Sequence, residues 1–91
     1  MAMHDGPKSY REAGITYWVP PFTEAESIYL ASYQCVRVAY QWKHKATGRA
    51  GMHAVYLFKS DVQRFPKLLE RWSGCTKEWE YSLPTQFHSV Q

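Results

Sequence analysis

Between Cys35 and Lys43 the chain reads CVRVAYQWK, and this stretch constrains the fold more than any other. Val36, Val38, Tyr40 and Trp42 take one parity; Arg37, Ala39, Gln41 and Lys43 take the other. Period-two alternation over that length specifies a β-strand with one buried face, because successive side chains leave a strand on opposite sides. Eight residues, HKATGRAG, then lead into Met52–Lys59, a nearly unbroken apolar run rich in strand formers. A continuous run of this kind belongs to a central strand, covered on both faces or covered on one and used for binding on the other. Thr47-Gly48 supplies turn chemistry between the two runs, so a long β-hairpin is expected.

The flanking segments supply the remaining elements. ITYWV, Ile15–Val19, is a short strand stopped by Pro20 and Pro21. Thr23 with Glu26 three positions on forms a capping box that starts a helix, and Ala25, Ile28, Tyr29 and Tyr33 recur at helical spacing after it. Ser60 and Gln63 repeat that pattern, and Val62, Phe65, Leu69 and Trp72 fall on one helical face. Pro66 interrupts a helix begun at Ser60, so either a short turn precedes a helix starting at Pro66 or the helix kinks there. Gly74 marks its end, and TKEWEYSLP alternates again up to Pro84.

The order strand, helix, strand, strand, helix, strand predicts an α+β, ferredoxin-like βαββαβ fold. Four antiparallel strands would carry two helices on one face, with the first and third strands central. The predicted organisation is a flexible N-terminal tail over 1–13, one domain over 14–84 and a C-terminal tail over 85–91. Ninety-one residues suffice for one domain, and an apolar content of 45% with 16% aromatics provides for a core. No apolar run approaches the ~18–20 residues that span a bilayer, and the N-terminus lacks the apolar segment of a secretory signal. A cytoplasmic protein without a membrane partner is expected. Cys35 and Cys75 match no zinc, redox or haem spacing and are read as reduced, mostly buried thiols.

Charge points to a partner. The net charge is +3, yet no acid lies between Glu26 and Asp61, where Arg37, Lys43, Lys45, Arg49 and Lys59 all fall. Such asymmetry favours an acidic partner. With both helices on one face, the other face would expose Trp18, Tyr56 and Phe58 beside Arg37 and Lys43. A cluster of exposed aromatics implies an occupant. The expected contact set is thus Arg37, Lys43, Lys45, Arg49, Trp18, Tyr56 and Phe58, facing nucleic acid, a nucleic-acid-handling protein complex, or a second copy of the same open face. RAGMHAVYLF departs from the K/R-G-F/Y-G/A-F-V-x-F/Y strand of RNA-recognition domains, which favours a protein over sequence-specific RNA reading.

Signals for catalysis are weak. The glycines form neither a dinucleotide fingerprint nor a phosphate loop, and no G-x-S-x-G elbow is present. Glu24 with Glu26 is explained by capping, and Glu78 with Glu80 by a strand edge. His44 and His53 are expected to face each other across the hairpin, two ligands where zinc sites usually have three or four, so no metal or other cofactor is assigned. The expectation is a small non-enzymatic binding protein that occludes its partner, in the manner of phage or mobile-element inhibitors such as anti-CRISPR proteins. The alternative is a sheet-paired dimeric α/β-barrel enzyme or small-ligand binder, resting on fold analogy.

Overall fold

A computed structural model of the chain describes residues 7–84. It is a mixed α+β domain of five strands and two α-helices: β1 Ser9–Glu12, β2 Ile15–Trp18, α1 Glu24–Ser32, β3 Cys35–His44, β4 Ala50–Phe58, α2 Phe65–Gly74 and β5 Trp79–Ser82. The strands form one antiparallel sheet in the order β1-β2-β4-β3-β5.

The long hairpin is present, with Cys35 opposite Phe58 and Lys43 opposite Ala50. Its loop is tight. Gly48 adopts φ +78, its amide donates to the His44 carbonyl at 2.8 Å, and the Arg49 amide donates to Thr47 Oγ1 at 3.2 Å. The capping box of α1 also forms: Glu26 N–H donates to Thr23 Oγ1 at 3.1 Å, and Thr23 N–H donates to Glu26 Oε1 at 2.9 Å. Of the two arrangements open at Pro66, the chain takes the first. A 3-10 turn over Lys59–Arg64 precedes α2, whose opening residues accommodate the proline because their amides need no helical acceptor. Gly74 is the last residue of α2, with Cys75 as its cap in a right-handed conformation, so no left-handed glycine closes the helix.

Two expectations change. Ser9–Glu12 is a strand rather than tail, joined to β2 by a two-residue turn in which Ala13 and Gly14 adopt φ 53 and 78. Residues 1–6 and 85–91, the remainder of the two predicted tails, lie outside the described residues. The sheet consequently has five strands, and the ferredoxin-like arrangement is not confirmed. The physical reason is occupancy. A ferredoxin-like order would pair the last strand with Ile15–Trp18, but β1 already fills that edge, and β5 pairs with β3 instead.

That change in order also affects the helices. The β2-α1-β3 connection passes over β4, and β4-α2-β5 passes over β3, both advancing in the same sense across the sheet from strands of opposite direction. Right-handed crossovers then put α1 and α2 on opposite faces. Packing agrees. On one face Phe65, Leu68 and Leu69 of α2 close a buried core with Ile15, Val55 and Leu57. On the other, Phe22 packs against Tyr56 as the chain leaves β2 for α1, and Leu30 of α1 is buried outside the α2 core. Ile28, expected on the packed face of α1, is exposed.

Candidate functional site

The seven predicted contact residues separate into two groups. Arg37, Lys43, Lys45 and Arg49 are exposed along the β3–β4 ribbon and its loop. Alternation fixes the side each strand residue takes, and Lys45 and Arg49 sit at the loop, where no neighbouring strand covers them. The single ion pair among the described residues joins Arg64 to Asp61, so none of the four ribbon cations is paired there. Acid does approach at one place: Glu80 of β5 stands opposite Lys43, and the Lys45 amide donates to the Glu78 carbonyl at 2.8 Å.

The aromatic group does not form the open platform. Trp18, Tyr56 and Arg37 do line up on one face, each opposite the next across β2, β4 and β3. However, Trp18 is only 6% exposed, with Phe58 packed edge-on at 5.2 Å between ring centroids, and Tyr56 and Phe58 are half-buried. One cause is Phe22, in the segment that leads from β2 to α1, which packs on Tyr56 at 5.1 Å on the face that was expected to be bare. Ala54, in the same row of β4, is buried as well.

The histidines are also placed differently. The loop runs Lys45–Gly48, so His44 pairs with Arg49 and His53 stands opposite Tyr40 rather than opposite His44. His44 Nδ1 lies 3.1 Å from Thr47 Oγ1 and its ring packs on Trp79 at 4.7 Å. His53 lies between Tyr40 and Trp42, 6.0 Å from each ring. Among the described residues no three His, Cys, Asp or Glu side chains gather as a metal would need. Cys35 and Cys75 are both free; Cys75 is exposed rather than buried, while burial raises the thiol pKa of half-buried Cys35.

A different concavity lies on the α2 face. Residues of all five strands and the end of α2 line an open concavity of about 410 Å³, with walls formed by Tyr17, Tyr40, Trp72 and Tyr81. Trp72 is the hub of that aromatic wall, packing edge-on against Tyr17 at 5.6 Å, Tyr40 at 5.5 Å and Tyr81 at 5.8 Å between ring centroids. Glu12, from β1, is the only charged residue lining it among the described residues. Its Oε1 accepts from Trp72 Nε1 at 2.7 Å and from the Tyr17 hydroxyl at 3.0 Å. Burial, then the hydrogen bond and charge of Glu12, push the Tyr17 pKa up to about 12. Glu12 is hard to find in the sequence because its strand reads as tail, and Trp72 reads as an ordinary core position of α2. The one available signal was the alternation of Tyr10 and Glu12 ahead of an Ala-Gly step.

No protein-family model, curated protein or solved structure matches this chain. Site geometry alone therefore supports the functional reading. No helix among the described residues is long and apolar enough to cross a membrane.

Proposed function

We propose that the chain is a non-enzymatic binding domain that occludes an acidic macromolecule through the β3–β4 ribbon, with Lys45 and Arg49 at its tip and Arg37 and Lys43 along its strands. One observation carries this reading: the four cations are exposed on one ribbon and are in no ion pair among the described residues. Cations that no ion pair engages keep their field available to a partner, and the field steers association. Burial of Trp18 withdraws the base-stacking platform that single-stranded nucleic acid would use, which favours an acidic protein face, such as that of a nucleic-acid-handling complex. Occlusion by contact, the mode of a phage-type inhibitor, needs no more than such a surface. Sheet-to-sheet pairing, and the barrel enzyme built on it, has less support because Trp18 and Ala54 are already covered.

The test is capture of partners from a nuclease-treated lysate by the unaltered chain and by Lys45→Glu/Arg49→Glu, followed by affinity measurement across salt concentrations. The double variant should keep its circular dichroism, bind about tenfold or more weaker at moderate ionic strength, and lose much of its salt dependence. Unchanged affinity and salt dependence would reduce the ribbon to a solubilising surface. A partner that disappears on nuclease treatment would reassign the contact to nucleic acid.

A further inference from the structure

We propose that the cavity walled by Tyr17, Tyr40, Trp72 and Tyr81, with Glu12 at its edge, is a binding site for a methylated ammonium group. At about 410 Å³ it falls in the range of small-molecule pockets, roughly 300–1,000 Å³, and four of its nine lining residues are aromatic. Electron-rich ring faces attract cations, and aromatic cages are the recurring solution for quaternary ammonium.

Glu12 gives the cavity its sign. It is half-buried, it lines the cavity, and among the described residues no Lys, Arg or His pairs with it. Both of its hydrogen bonds are accepted by Oε1, which leaves Oε2 without a donor among those residues. A half-buried carboxylate with one unoccupied oxygen, held in place by an indole and a phenol, lacks a positive counterpart.

The same lining selects the kind of cation. A bare ammonium carries three N–H donors and would leave most of them unsatisfied against rings and aliphatic carbons, a costly loss of solvation. A fully methylated, quaternary ammonium spreads its charge over methyl groups that pack on the rings and has no such donors to lose. A hard metal ion requires several oxygen ligands, and one carboxylate does not provide them. The site is independent of the basic ribbon, since none of Arg37, Lys43, Lys45 and Arg49 lines the cavity.

Choline and 3,3-dimethylbutan-1-ol, which replaces its nitrogen by carbon, have nearly the same shape and differ in charge. Titrating each into the ¹⁵N-labelled chain, choline should shift the Trp72 indole N–H resonance and bind about tenfold or more tighter than the neutral analogue. Nε-trimethyl-lysine amide forms a parallel arm, and the tighter of the two cations identifies the group as free in solution or carried on a lysine side chain. Glu12→Gln keeps an oxygen to accept from Tyr17 and Trp72 but removes the charge, and should weaken choline about tenfold with little effect on the alcohol. If that variant loses its fold, Tyr81→Leu serves in its place and should also weaken choline selectively. Equal affinity for choline and the alcohol would make the cavity merely apolar and overturn the assignment, as would the absence of any shift with both cations at ~10 mM.

Discussion

Gly51 is held to its identity by Trp42. A Cβ built there would lie 2.5 Å from Trp42 Cζ2 and 2.7 Å from Cε2, well inside van der Waals contact. The indole lies against the Gly51 backbone while its edges meet Trp79 at 5.6 Å and His53 at 6.0 Å. Its Nε1 is buried with no hydrogen-bond partner among the described residues, a cost the surrounding ring contacts must offset. Gly51→Ala therefore has to displace a packed indole, and overpacking of this kind costs about 1–3 kcal/mol. Urea unfolding should show that loss together with a changed near-ultraviolet tryptophan spectrum. An unaltered midpoint and spectrum would mean that Trp42 swings aside freely.

At the level of elements, the β1–β2 hairpin shows why sequence and structure part company. Both turn residues occupy the left-handed region, as the right-handed twist of a two-residue hairpin requires. Glycine enters that region at little cost, whereas Ala13 enters it against its Cβ. Ala13→Asn would create the Asn-Gly pair that suits such turns and should stabilise the chain by about 0.5–1 kcal/mol, seen as a rise of a few degrees in the melting temperature. A fall in melting temperature would show that the turn is not what holds the hairpin. Ala-Gly carries little turn signal, and this is why Ser9–Glu12 read as tail. By contrast, β3, β4, the α1 capping box and the turn ahead of α2 were legible, because alternation, hydroxyl–carboxylate spacing and a proline act over a few neighbouring residues. Strand order was not legible. It depends on whether the free edge of β2 is already taken, and that was decided by the turn the sequence concealed. The site inherited the error: once the order changes, α1 crosses to the face assigned to Trp18, Tyr56 and Phe58. The acid-free interval from Ser27 to Ser60 was likewise true along the chain but incomplete in space, since β5 brings Glu80 opposite Lys43.

For the molecule as a whole, the link between Glu12 of β1 and Trp72 of α2 ties the N-terminal edge of the sheet to its principal helix. Arg64 adds a second tie, donating to the Gly14 carbonyl at 3.4 Å while it pairs with Asp61. Tyr17 gives this tether a pH limit. Its folded pKa of about 12 lies above the ordinary value of 10.0, so folding favours the neutral phenol. The stabilisation is complete below pH 10 and declines as pH rises from about 10 toward 12, because the unfolded chain ionises first. Thermal unfolding followed between pH 8 and pH 12 should fall off in that window, and Glu12→Gln should move the Tyr17 transition downward when followed by tyrosinate absorbance. A Tyr17 that titrates near 10 in the unaltered chain would contradict the tether.

The order β1-β2-β4-β3-β5 also bears on how the chain is made. Both β2 and β3 take their inner partner from β4, which lies later in the sequence than either. On the ribosome the strands that precede β4 can pair only in the small β1–β2 hairpin, leaving two strand edges exposed while the nine residues of β4 are added. At ordinary elongation rates that interval lasts roughly 0.5–2 s, the period in which a nascent chain of this topology is most open to mispairing with its neighbours.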